Sequence, residues 1–106
     1  MGYKDLDVKE FAQYIKQKDI QLLDVRTRKE YDAEHLSDAV NEDWMGADFM
    51  AKVERIIDKS CPVAIYCRSG RRSDEAGHAM ASQGYDVVNL LGGILAWMEA
   101  EEPVVK

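Results

Sequence analysis

Three short apolar runs constrain this chain more than anything else in it: Ile20–Arg26 (IQLLDVR), Val63–Cys67 (VAIYC) and Asp86–Leu90 (DVVNL). Each is bounded by polar or turn-forming residues and lacks the polar alternation of a strand with one wet face, so each reads as a strand covered on both sides. Segments of helical period lie between them. Asp7 followed by Glu10 is a capping-box variant, and Val8, Phe11, Ala12 and Ile15 repeat at helical spacing, which predicts a first helix to about Lys18. TRKEYDAEH, from Thr27, has polar helix-turn character, and Ala39 to Asn41 reads as a short strand. Asp48 to Lys59 places Phe49, Met50, Val53, Ile56 and Ile57 on one side of a second sizeable helix, and Pro62 marks its exit. Arg72 to Gln83 reads as a helix with a small inward face, Ala76, Ala79 and Met80, and with Gly84 as its C-cap. After a tight turn at Gly92 and Gly93, Ile94, Trp97 and Met98 form the stripe of a last helix. Buried strands alternating with helices imply βαβ units with right-handed crossovers, hence an α/β class with a parallel sheet and helices on both faces.

The chain has 106 residues, with no internal repeat or linker, and one domain spanning residues 1–106 is expected. A formal charge of -6 argues against a nucleic-acid binder or a polybasic membrane anchor, either of which needs an extended positive face. No run approaches the roughly 18 apolar residues of a membrane span, and no charged-then-apolar segment opens the chain, so a cytoplasmic location is expected. The two cysteines, Cys61 and Cys67, make no disulfide framework, and His35 and His78 have no neighbours at metal-ligand spacing. Neither a metal nor a cofactor is called for.

Against this acidic background Arg68, Arg71 and Arg72 crowd around one thiol, in the stretch YCRSGRRS. Ligands of open parallel sheets bind beyond the carboxyl ends of the strands, and Cys67 is the last residue of its predicted strand. A helix beginning near Arg72 points its unpaired N–H groups and positive dipole end back at the loop, and Gly70 permits the tight curl. Such a cradle favours thiolate over thiol, which makes Cys67 a candidate nucleophile. The bland alternative is an inert buried cysteine beside a solvated arginine run. That alternative fits Cys61, which lies at a helix-to-strand junction with only Lys59 as a basic neighbour.

Three stretches together, LLDVRTRKEYDAEH, YCRSGRRS and VVNLLGGILAW, resemble the motifs of the rhodanese-like domain family, in order and over nearly the whole chain. The resemblance implies a three-layer α/β/α fold around a mainly parallel five-stranded sheet. It also implies a thiosulfate sulfurtransferase, in which a persulfide on cysteine carries sulfane sulfur from a small anionic donor to cyanide, a thiol or a protein acceptor. Cys67 matches the persulfide-bearing position, and Arg68, Ser69, Gly70, Arg71 and Arg72 match the loop whose N–H groups surround the outer sulfur. Arg68 and Arg72 are the side chains expected to meet the donor. Asp24 and Arg26 match a charged pair that buttresses the loops, with a contact from Arg26 to Glu30 expected. Trp97 is expected to pack the last helix onto the sheet.

One stretch departs from the family pattern. Where Gly-His-Ile-Pro-Gly-Ala is usual, this chain reads Glu34-His35-Leu36-Ser37-Asp38-Ala39, and Asp38 is the residue best able to make the left-handed turn. Three rival readings compete. Cysteine-dependent phosphatases and arsenate reductases set their arginine one residue further from the cysteine, where this chain has Ser73. A non-catalytic interaction module of the same family commonly lacks the cysteine. A dithiol oxidoreductase needs closely spaced cysteines, and no C-x-x-C is present.

Overall fold

In the computed structural model, which describes residues 2–106, the buried runs form the centre of a parallel sheet. In chain order the elements are β1 (Tyr3–Leu6), α1 (Val8–Tyr14), β2 (Gln21–Asp24), α2 (Arg28–Ala33), β3 (Val40–Asn41), α3 (Phe49–Ile56), β4 (Val63–Tyr66), α4 (Arg71–Ser82), β5 (Val87–Leu90) and α5 (Gly93–Glu99). The five strands lie in the order β1-β5-β4-β2-β3, and every pairing is parallel. β4 is central, with Leu22 beside Ala64 and Leu23 beside Ile65 on one flank, and Val63 beside Val87 on the other.

Successive residues of a strand face opposite sides, and the core divides accordingly. Leu22, Ala64, Tyr66, Val88 and Leu90 pack against Phe11 and Ala12 of α1 and Ile94 and Trp97 of α5. Leu23, Val63, Ile65, Cys67 and Val87 pack against Phe49 and Val53 of α3 and Ala76 and Met80 of α4. The result is the three-layer α/β/α arrangement. Trp97 is buried, meets Phe11 edge-on at 6.2 Å and donates its indole N–H to the Pro103 carbonyl at 2.8 Å.

Three local readings need correction. α1 stops at Tyr14 rather than near Lys18, because Lys16 and Gln17 close i−3 turns onto Gln13 and Tyr14 and Asp19 takes positive φ. α3 ends at Ile56 rather than near Lys59, because Ile57 turns extended, and of the expected stripe Val53 and Ile57 are buried while Ile56 is exposed. α4 begins one residue earlier than read, at Arg71. Asp38 does make the left-handed turn, with φ of 71°, and Ala39 N–H then closes onto the Leu36 carbonyl at 3.1 Å.

Candidate active site

β4 ends at Tyr66, and the next residue, Cys67, leaves the sheet with its side chain on the α3/α4 side. The loop from Arg68 to Gly70 leads directly into α4, whose N-cap is Gly70 at φ of 101°. Only glycine takes this conformation cheaply, and here it aims its own N–H at the sulfur: the Gly70 N–H donates to Cys67 Sγ at 3.1 Å. Cys67 is 1% exposed. The first turn of α4, with N–H groups that have no helical acceptors, opens toward the same loop.

A second loop holds the first in place. The start of α5 donates Ile94 N–H to the Cys67 carbonyl at 2.9 Å and Leu95 N–H to the Arg68 carbonyl at 3.1 Å. This approach depends on Gly93, at φ of 61°: a Cβ there would lie 2.6 Å from the Cys67 carbonyl oxygen and would collide with that of Arg68. With those carbonyls tied to α5, the N–H groups of the cysteine loop are the ones left to face an anion.

The residues singled out from sequence do not all converge on the sulfur. Arg68, Ser69 and Arg71 are exposed, and Arg68 lines a cavity of about 140 Å³ beside Glu30, Glu34, Leu95 and Met98. Arg72 is half-buried and committed elsewhere: its two terminal nitrogens donate to the two carboxylate oxygens of Glu30 at 2.8 and 2.9 Å. The Arg72 guanidinium pulls the Glu30 carboxyl down to about 2, and the same pairing raises Arg72 above its ordinary value. The expected Arg26–Glu30 contact is therefore replaced. Glu30 turns to Arg72, and it also accepts from the Thr27 N–H at 3.0 Å as the reciprocal half of the α2 capping box.

Asp24 and Arg26 form a buried pair behind the loops, at 0% and 2% exposure. The Asp24 carboxylate accepts from the Arg26 backbone N–H at 2.9 Å and from its guanidinium at 2.7 to 3.1 Å. Burial opposes the Arg26 charge, and the Asp24 carboxylate more than offsets it, so the Arg26 pKa is raised. The remaining donor capacity ties Arg26 to the Glu34 carbonyl at 2.6 Å, fixing the segment that contains the Asp38 turn. Ions this deeply buried persist when paired and hydrogen-bonded, as these are to each other.

One buried group at the sulfur was not singled out from the sequence. Ser73, fully buried in the first turn of α4, donates its hydroxyl to Cys67 Sγ at 3.4 Å or to the Gly70 carbonyl at 3.2 Å. Its only sequence signal is a hydroxyl one helical turn past Gly70. Trp44, by contrast, packs edge-on against Phe49 at 5.0 Å and donates to Glu75 at 3.2 Å. Cys61 sits at the far end of β4 from Cys67, and both thiols are free. Six residues of nearly extended chain separate them by roughly 20 Å, far beyond disulfide reach.

Comparison with known proteins agrees with this fold. The chain matches the family described as the Rhodanese-like domain over residues 7–100. It is 32% identical over 101 residues to the thiosulfate sulfurtransferase GlpE of Coxiella burnetii, covering 92% of this chain and 89% of that one. It is 38% identical over 88 residues to a sulfurtransferase of Allochromatium vinosum, covering 82% and 79%. Among solved structures, a rhodanese-related protein from Thermoplasma volcanium superposes with a TM-score of 0.84 at 25% identity, covering 97% of this chain and 98% of that one. With a family match across most of its length, a matching fold and relatives named for sulfur transfer, the chain belongs to the rhodanese-like domain family.

Proposed function

We propose that the protein is a thiosulfate-type sulfurtransferase that works through a persulfide on Cys67. The observation that carries this reading is the Gly70 N–H aimed at Cys67 Sγ from the N-terminal end of a 12-residue helix, in a loop whose carbonyls are drawn away by α5. That arrangement stabilises negative charge on sulfur without a neighbouring base. The Cys67 thiolate attacks the sulfane sulfur of thiosulfate, the bond between the two donor sulfurs breaks, and sulfite leaves with its electron pair. Cys67 then carries the outer sulfur as a persulfide anion. An acceptor nucleophile attacks that outer sulfur and the Cys67 thiolate departs: cyanide yields thiocyanate, and a thiol yields its own persulfide.

Ser69, Gly70 and Arg71 offer backbone N–H groups to the outer sulfur, and exposed Arg68 and Arg71, neither in an ion pair among the described residues, supply the positive charge that draws a dianion. Arg72 takes part as the closing residue of the loop, its charge shared with Glu30. Asp24 and Arg26 support the loops from behind. No phosphoryl-transfer role is favoured, because the arginine such a site needs is one residue early and already engaged by a carboxylate. The reducing cytoplasm, where unpaired cysteines persist, is the compartment this reading implies.

The test is mass spectrometry of the protein after incubation with thiosulfate, followed by thiocyanate assay with cyanide. The expected result is a single-sulfur adduct on Cys67, removed by cyanide, with turnover abolished in Cys67→Ser. An adduct mapping to Cys61, or Cys67-dependent hydrolysis of an aryl phosphate without sulfur transfer, would refute it.

A further inference from the structure

We infer that Ser73 is a catalytic residue for the discharge half of the cycle, acting on Cys67 as a leaving group; this rests on the persulfide reading above. The Ser73 hydroxyl has one proton and two acceptors in reach, Cys67 Sγ at 3.4 Å and the Gly70 carbonyl at 3.2 Å. Which acceptor takes the proton depends on where the negative charge lies. In the thiolate form that attacks the donor and departs from the persulfide, the charge sits on Cys67 Sγ, and a hydrogen bond to a charged acceptor is about twice as strong as one to a neutral group. The hydroxyl then points at the sulfur. Once the outer sulfur is in place, the charge moves out to it and Sγ becomes a neutral, weakly accepting atom. The proton then swings to the Gly70 carbonyl.

Ser73 thus favours the discharged state over the persulfide. As the acceptor takes the outer sulfur, the bond between the two sulfurs breaks and its electron pair returns to Cys67 Sγ. The Ser73 proton turns back to meet that charge as it develops. The group is fully buried, so no water substitutes for it. Its removal leaves the helix intact: alanine is the better helix former, and the Gly70 carbonyl keeps its bond from the Asp74 N–H at 3.0 Å.

The discriminating measurement is an equilibrium. Wild type and Ser73→Ala are equilibrated with fixed ratios of thiosulfate to sulfite, and the persulfide fraction on Cys67 is read by intact mass. The expected result is a persulfide-to-thiolate ratio about fivefold to tenfold higher in Ser73→Ala, the difference between a charged and a neutral hydrogen bond. Discharge to cyanide slows by a similar factor, while charging by thiosulfate does not slow in step. Ser73→Gly removes the hydroxyl by a second route and should move the ratio the same way. A hydroxyl that only braces the loop would leave this ratio alone, so an unchanged ratio in both variants overturns the role of Ser73 while leaving sulfur transfer standing. A wild type that takes no sulfur on Cys67 brings down the sulfurtransferase reading, and Ser73 with it.

Discussion

Two glycines with positive φ separate a backbone requirement from a steric one. Gly84 has φ of 98°, but a Cβ there would meet nothing within 4 Å. Gly84→Ala therefore carries only the left-handed penalty, about 1 kcal/mol, and leaves the site untouched. Gly93 has both problems, because its Cβ would be driven into the carbonyls of Cys67 and Arg68 that α5 holds. Gly93→Ala should lose at least about 2 kcal/mol, or shift the cysteine loop to relieve the clash. Thermal unfolding with thiocyanate assay on both variants checks this: Gly84→Ala melts a few degrees lower at full activity, whereas Gly93→Ala loses most sulfur transfer. Equal activities would show that the approach of α5 does not shape the loop. The sequence made the glycine pair conspicuous, but the carbonyls it must avoid lie more than twenty residues upstream and become visible only in the fold. The contact of Ser73 with the sulfur was hidden for the same reason, since a helix pattern does not say which hydroxyl faces a sulfur.

Elements were legible where their signals were local. Asp7 and Glu10 form both halves of the α1 capping box, with bonds of 2.8 and 3.1 Å, and the three apolar runs became β2, β4 and β5. β1 was not legible, because Tyr3–Leu6 has neither an apolar run nor alternation and is a strand only through its register with Val87 to Leu90. The partner of Glu30 was equally hidden: Arg26 is close in sequence, yet Asp24 claims its guanidinium, and Glu30 reaches forty-two residues along the chain to Arg72. That pair links α2 to α4, and it makes a pH prediction. The Glu30 carboxyl is lowered from 4.5 to about 2 by Arg72, so its pairing contributes stability that is fully present above 4.5 and is lost as pH falls through about 2. Urea unfolding of wild type should therefore weaken more steeply between pH 4.5 and 2 than that of Glu30→Gln, which has no charge to lose. Parallel pH profiles for the two proteins would mean that the link between the helices adds nothing. Because the pair is partly exposed, its contribution should also shrink with added salt.

At the scale of the molecule, the α/β class followed from the alternation of runs, whereas the strand order did not. Alternation demands crossovers, but nothing local says that β4 lies between β5 and β2, or that β1 closes the sheet beyond β5. That order matters to the site because it places the cysteine loop on the best-supported strand. All four residues of β4 are 0% exposed, and the strand has a hydrogen-bonded neighbour on each side. The edges are weaker: β3 has two residues, and β1 has two exposed positions among its four. Local opening of a sheet begins where burial and pairing are least, so opening free energies should rise from the edges to the centre. Native-state amide hydrogen exchange measures this directly. Amides of Ala64 to Tyr66 are expected to exchange only through global unfolding, and those of Lys4 to Leu6 and of Val40 and Asn41 through smaller openings. If the edge amides proved as slow as those of β4, the sheet would open only as a unit, and the rigidity under Cys67 would owe nothing to its central place. If the gradient holds, the loop that carries Cys67 springs from the least mobile strand of the sheet.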